Sequence, residues 1–473
     1  MSTSIATPNG QPMKLSNLPS RLIAISAMSI SFAAAIQSQA GTPLGKDAAP
    51  VHSSSSSVNW LTGEGVNIGG IIFPHAHFQA VYGQTTADDL EHFGAGHHDP
   101  VSDGWTIQGF EFGASARVNE YFEAFGTYHL FQEADTRDWD GEFEEWFAKI
   151  KNLPGGFELR GGRFFNRFGL HNSTHLHGWN YIDNNLVNGR FLGDDALTTI
   201  GGEISWNLPT PWTSILSVSI GEAQSHDGHS HGHGHGHDHE EHGDHEEHEH
   251  HWFEGEDALF NDTVIVANWT NQYDYNDFHQ FRYGASGAWG DNKMNELTQI
   301  YGVHFQYEWR QNGYETGGRY FRWRTEAMVR GFDYYARHED EHEEEHGHHD
   351  DHDHHDDHDD HDEHGDDHEH EEEEEHHAHV HRGSETEFGI YSSLIYGLDN
   401  GLEFGLRGEY VSGVANTSLA ERFRISPNVT YYLNPARTVY LRGQYNYDHS
   451  PEFDDQHGVW LQIGFNWGGG EVR

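Results

Sequence analysis

The chain of 473 residues contains no cysteine. That excludes a disulfide framework, thiolate zinc sites, iron–sulfur clusters and cysteine nucleophiles. Basic residues are scarce: 26 Lys plus Arg stand against 77 Asp plus Glu, a formal charge of −51. A binder working through a net positive field is therefore excluded, and nucleic acid is not an expected partner. Proline is rare at 13 residues. Beyond the N-terminal stretch, no apolar run is long enough to cross a membrane as a helix. There is no serine nucleophile elbow and no HExxH in a helical context, so the chain is not read as an enzyme and no catalytic residue is expected. What the sequence has in abundance is glycine (55), tryptophan (14), tyrosine (21), phenylalanine (28) and histidine (43). Many aromatics and glycines in a hydrophilic chain suit a large β structure with many turns.

Much of the charge sits in two inserts. Residues 226–259 hold 11 acids and 12 histidines, and residues 338–381 hold 23 acids and 17 histidines, with no Lys or Arg in either. Such segments cannot bury enough apolar surface to offset their ordering entropy, so they are expected to be solvated and disordered without metal.

The N-terminus reads as an export signal. Lys14 and Arg21 precede the apolar stretch Leu22 to Ile36, and Ser38-Gln39-Ala40 offers small residues at a cleavage site. Residues 1–40 are therefore assigned to a signal peptide, and 41–64, with Ser53 to Ser57, to a flexible linker.

The body alternates. Leu402, Phe404, Leu406 and Tyr410 interleave with Glu403, Gly405, Arg407 and Glu409, and Val459, Leu461, Ile463, Phe465 and Trp467 interleave with Trp460, Gln462, Gly464 and Asn466. That is the period of a strand with one wet face. Runs of about 10 to 15 residues exceed the usual strand of 5 to 6 and match membrane-spanning strands. Sixteen such strands are expected, near 68–83, 105–117, 120–133, 142–151, 156–167, 197–208, 212–224, 262–272, 277–290, 296–310, 319–337, 384–397, 401–412, 420–434, 437–448 and 457–467. The fold class is all-β: a transmembrane antiparallel β-barrel over residues 65–467, followed by a C-terminal tail, 468–473. Short connections follow even strands, as at Asn119-Glu120, Leu153-Pro154-Gly155 and Asp399-Asn400-Gly401. Long ones follow odd strands: 84–104, 168–196, 225–261 and 338–383. Short inner turns and long external loops are the habit of such barrels, so both His-rich inserts are expected to face outside.

The body resembles a Gram-negative outer-membrane porin, with the phosphate-selective O/P porin group as the nearest in kind. The segment Arg160-Gly161-Gly162-Arg163-Phe164-Phe165-Asn166-Arg167-Phe168-Gly169 resembles the G-R-F-x-x-x-F-G stretch that precedes the constriction loop in that group. The last strand ends in Gly464-Phe465-Asn466-Trp467, similar to the aromatic-ended signal of assembled barrels, though six residues follow it. The His-rich loops resemble those of outer-membrane zinc receptors. Those receptors carry an N-terminal plug domain, for which residues 41–64 are too short. The resemblance implies outer-membrane lipid and small solutes as partners, and admits a homotrimer.

Imidazole with carboxylate suits Zn²⁺, and imidazole also suits Ni²⁺ and Cu²⁺. The candidate ligands of the first insert are His226, His229, His231, His233, His235, His237, His239, His242, His245, His248, His250 and His251. Those of the second are His338, His342, His346, His348, His349, His352, His354, His355, His358, His361, His364, His368, His370, His376, His377, His379 and His381. Acids alone would keep a surface hydrophilic; so many histidines point to divalent metal, zinc before nickel or copper, with no cofactor required.

Loop 168–196 occupies the place where large porins fold a loop into the pore. It carries His171, His175, His177, Asp183, Asp194 and Asp195, either a metal relay at the constriction or ordinary polar packing. Strand phase turns Arg282, Arg322, Arg324, Arg330, Arg407, Arg422, Arg424 and Arg442 inward as a basic lumen wall, partly offset by Glu203, Glu326, Glu403 and Glu409. The expected function is an outer-membrane porin whose external loops capture divalent metal and promote its diffusion inward. The alternatives are a general or anion-selective porin with metal-buffering loops, and a surface metal sink with a closed pore.

Overall fold

The computed structural model describes residues 65–468, except 88–94, 97, 101–102, 134–137, 195, 225–254, 316, 339–378, 415–416, 418 and 452–454. The expected signal peptide and linker, Asp195, the insert ligands His226 to His251 and His342 to His377, and the tail beyond Gly468 lie outside the described residues.

Sixteen strands form one closed antiparallel barrel. They are β1 (Ile72–Thr85), β2 (Asp103–Arg117), β3 (Phe122–Gln132), β4 (Trp139–Leu153), β5 (Phe157–Phe165), β6 (Thr198–Asn207), β7 (Thr213–Gln224), β8 (Phe260–Asn276), β9 (His279–Asn292), β10 (Leu297–Arg310), β11 (Tyr320–His338), β12 (His379–Gly397), β13 (Leu402–Val411), β14 (Arg422–Tyr432), β15 (Val439–His449) and β16 (Gln456–Gly468). Each pairs with its sequence neighbours, and β1 closes on β16, with His75 opposite Gly468 and Thr85 opposite Gly458. Closure leaves no open edge, so every strand has a partner on both sides.

The number and order of strands match the alternation in the sequence; the boundaries move. β4 begins at Trp139 rather than 142, and β12 begins at His379 rather than 384. The second insert is thus narrower than expected, because His338 pairs with His379 and Ala336 with His381 as backbone of β11 and β12. The connections carrying both inserts leave from the same rim as the β5–β6 connection, since all three follow odd strands.

The polarity is the reverse of a soluble protein. Side chains such as Trp105, Phe143, Trp146, Ile220, Val303 and Leu461 point outward and are exposed, whereas Glu111, His129, Glu203, Glu326, Arg330 and Arg424 point inward and are buried. An apolar exterior with a polar interior is satisfied by lipid outside.

The β5–β6 connection, residues 166–197, is the inner loop. It folds into the barrel and carries a short helix, α1 (Leu186–Leu192), started by Asn185, whose side chain accepts the Asn188 backbone N–H. Leu186, Val187, Phe191 and Leu192 of α1 pack with Ile300, Met328, Tyr391 and Val411 of the barrel wall. Each such side chain, once fully buried, contributes about 1.5–3 kcal/mol. The wall's acids satisfy the loop backbone: Glu326 accepts Leu170 N–H at 2.9 Å and Glu409 accepts Leu186 N–H at 2.6 Å.

Candidate metal centre in the barrel lumen

The inner loop divides its own polar residues between two walls. Asp183 turns toward β13–β15. Its carboxylate accepts from Arg407 at 2.7 Å, Arg424 at 2.9 Å, and Gln444 and Asn446 at 2.5 Å each. Burial alone would push the Asp183 carboxyl up; the two guanidinium groups and the amide donors outweigh it and hold it below the ordinary carboxylate value. His171 lies on the same side, bonded to Asn184 at 3.0 Å and tilted over Trp179. Burial, aided by Arg324, lowers its pKa to about 3, so it stays neutral. Asp194 is exposed, and its backbone carbonyl accepts from the Asn184 side chain at 3.0 Å.

The inward Arg407 of β13 and Arg424 of β14 meet the inner loop through Asp183. All eight arginines point inward, but Arg330, Arg407, Arg424 and Arg442 are 0–4% exposed. The inner loop covers them, and each is spent: Arg330 on Glu387, Arg407 on Asp183 and Glu409, Arg424 on Asp183 and Asp448, Arg442 on Thr430 and Gln462. Burying a guanidinium is costly without compensation: the loop brings Asp183 to Arg407 and Arg424, and the Tyr181 carbonyl joins Thr430 and Gln462 on Arg442. Arg422 pairs with Asp448 and Arg322 with Glu308; Arg282 and Arg324 remain half-buried beside them.

His175 and His177 take the opposite direction, onto β1–β4. There they join groups that the loop alone did not reveal. His175 bonds Glu111 at 3.0 Å through Nδ1 and Glu145 at 2.7 Å through Nε2. His177 Nδ1 bonds the other oxygen of Glu111 at 2.7 Å. The His177 ring stacks on His77, centroids 3.6 Å apart and planes within 6°. His75 lies next to His77 on the same face of β1. Glu144 links the two flanks: Oε1 is 3.2 Å from His129 Nδ1 and Oε2 is 3.3 Å from His175 Nδ1. His98, from the β1–β2 connection, sits over His129 with centroids 4.3 Å apart.

Three triads place one ligand atom each within 4.8 Å of one another: His98, His129 and Glu144; Glu111, His175 and His177; His75, His77 and Glu111. All are buried except His177, which is half-buried.

The backbone explains why these groups meet. Between β3 and β4 the register shifts, so that Thr127 faces Glu145 while His129 faces Glu142. The β-bulge turns two consecutive residues, Glu144 and Glu145, into the lumen, where simple alternation would send one of them out. A second bulge, between Gln79 and Ala80, adds Gln108, which donates to the His98 carbonyl at 2.9 Å and to the Ile182 carbonyl at 2.5 Å. Gly109 makes room: a Cβ there would lie 2.2 Å from His129 Nε2.

The donor set fits a transition metal. Imidazole nitrogens and carboxylate oxygens are the usual ligands of zinc, and three protein ligands leave a fourth position open for water. Among the described residues, the ion-pair partners of Glu111, Glu144 and Glu145 are histidines, so a protonated imidazole or an entering cation compensates these buried carboxylates whenever they are ionised. Nδ1 of buried His129 lies 3.2 Å from Glu144, and its Nε2 has no hydrogen-bond partner among the described residues. Buried polar atoms in that condition call for an explanation, and a bound ion is one.

Sequence reasoning singled out His175 and His177 but missed His75, His77, His98, Glu111, His129, Glu144 and Glu145. For most of them a signal existed: His75 and His77, two residues apart, share one strand face, and Glu111 and His129 sit at inward phase on neighbouring strands.

No family model matches the chain. A protein of Aquifex aeolicus (strain VF5), itself uncharacterized, is 29% identical over 139 residues, spanning 29% of this chain and 28% of that one. Among solved structures, the chain is similar to the outer membrane channel DcaP of Acinetobacter baumannii, with TM-score 0.47, 9% identity, and 85% and 100% of the two chains covered. It is also similar to Pseudomonas putida OprB, with TM-score 0.46, 11% identity, and 84% and 94% covered. An anion-selective porin from Comamonas acidovorans gives TM-score 0.44, 9% identity, and 84% and 98% covered.

Proposed function

We propose that the protein is an outer-membrane channel for divalent transition metal, zinc first, whose lumen binds the ion on its way through. The observation that carries this reading is the buried histidine–carboxylate cluster joining the inner loop to β1–β4. A channel for bulk diffusion has no use for eight histidines and carboxylates held in three triads, each with its ligand atoms within reach of one ion. The apolar exterior of the closed barrel supports a place in the outer membrane, which is where closed barrels with long loops on one rim reside. The His-rich inserts leave the rim of the long connections; facing outward, they would raise the local metal concentration through their acidic field and many weak ligands. Diffusion then moves the ion from mouth to cluster.

Zinc flux into proteoliposomes tests it. Glu111→Gln is expected to slow zinc while a neutral sugar crosses as before. Equal zinc flux through both proteins would set the cluster aside.

A second reading, a general or anion-selective porin with metal-buffering loops, is favoured by Arg282, Arg322 and Arg324, which stay half-buried on the facing wall, and by the resemblance of residues 160–169 to the phosphate-selective group. It expects equal zinc flux and faster passage of small anions.

A further inference from the structure

Two carboxylates in the lumen each serve more than one ligand set. Glu144 reaches His129 with one oxygen and His175 with the other, at 3.2 and 3.3 Å. Glu111 reaches His175 and His177 with its two oxygens, at 3.0 and 2.7 Å, and also belongs to the triad with His75 and His77. The three triads are therefore joined end to end.

They run across neighbouring strands. His77 of β1 is the register partner of Glu111 of β2, and Glu111 is that of His129 of β3. His98, in the connection on the long-loop rim, reaches His129, and His75 lies two residues nearer the short-turn rim than His77. From the β3–β4 side across to β1 the sets are His98–His129–Glu144, then Glu111–His175–His177, then His75–His77–Glu111.

We infer that the cluster is a hand-over path in which Glu144 and then Glu111 pass one divalent transition-metal ion between successive three-ligand centres. This rests on the reading of the lumen as a metal channel. The chemistry is ligand exchange: no electrons move, and each incoming imidazole replaces one outgoing imidazole or water. A carboxylate that already touches the next centre lets the ion gain its new ligand before losing the old one. A centre of three protein ligands keeps a position open for that exchange, whereas a closed four-ligand centre would hold the ion. Neutral imidazole ligates and protonated imidazole does not, so each centre competes with protons.

The experiment is a zinc soak of crystals of the full chain, with anomalous difference maps recorded at the zinc edge, for the wild type, Glu144→Gln and Glu111→Gln. Two separated lumen positions are expected in the wild type, an outer one at His98–His129–Glu144 and an inner one around Glu111. Glu144→Gln removes the outer peak and keeps the inner; Glu111→Gln does the reverse. Each variant slows zinc flux by at least about tenfold, the scale of losses when metal-site support is removed. A single peak lost in both variants means one composite centre: the hand-over falls and the metal channel stands. No lumen peak in the wild type, with zinc flux unchanged in both variants, overturns both. Where a glutamate variant loses its heat-modifiable barrel band on gels, His129→Asn and His177→Asn make the same comparison.

Discussion

His177 of the inner loop lies flat on His77 of β1, ring centroids 3.6 Å apart and planes within 6°. The contact ties the loop to the first strand of the barrel, while Asp183 ties the same loop to β13 and β14 through Arg407 and Arg424. The loop thus spans the lumen between a histidine–carboxylate face and an arginine face.

Asp183 is the pin of the arginine face. Asp183→Asn leaves Arg407 and Arg424 buried with less compensation. Breaking a buried pair by removing one partner costs about 3–5 kcal/mol. The urea midpoint of the refolded barrel is expected to fall accordingly, and inner-loop residues are expected to become more open to protease. An unchanged midpoint would mean that Glu409 and Asp448 suffice for the two arginines.

Gly109 is the space into which His129 leans. Gly109→Ala brings a methyl group to 2.2 Å from His129 Nε2, so the ring must move away from Glu144. Loss of the outer metal position with the inner one retained is expected in an anomalous map. A fully retained outer position would show that the ring relaxes without leaving its partners.

On the proposed function, the inserts matter at low metal concentration. Removing residues 226–251 and 340–377, outside β11 and β12, is expected to slow zinc flux in the submicromolar range and to spare it at high zinc, where capture no longer limits. A neutral sugar should cross equally in both proteins. Equal zinc flux at all concentrations would reduce the inserts to a buffer.

His171 gives a pH signature. Its folded pKa, about 3, lies below the ordinary 6.5 because burial and Arg324 disfavour the cation. The unfolded chain therefore binds more protons between those values, and this residue subtracts stability as pH falls from about 6.5 toward 3. His171→Asn should lose less urea resistance between pH 7 and pH 4 than the wild type does. An equal loss in both would place His171 in a wetter setting than its neighbours indicate.

Much of the barrel was readable because one-sided strands write their phase directly into sequence. Leu402 to Tyr410 and Val459 to Trp467 alternate without interruption and fall in β13 and β16. The lumen was harder to read, for two physical reasons. A β-bulge shifts the phase by one, so Glu144 and Glu145 both point inward although their spacing forbids it in a regular strand. Alternation also says which way a side chain points and nothing of what lies over it. Arg330 and Arg424 are buried inside the barrel, yet the folded loop that covers them is encoded far away, in Asp183 and the apolar face of Leu186–Leu192. The same distance hid the cluster: His175 and His177 were visible as loop histidines, but their partners come from four strands, 30 to 100 residues away in sequence for Glu145 and His75.

The concentration dependence of zinc entry into proteoliposomes tests the central claim most directly. Passage through binding centres in the lumen saturates. Zinc flux through the wild-type protein is expected to level off at micromolar zinc while neutral-sugar flux stays linear, and Glu111→Gln should abolish the plateau. Zinc flux that rises linearly in step with the sugar, in wild type and variant alike, would contradict it and leave a general porin with metal-binding loops.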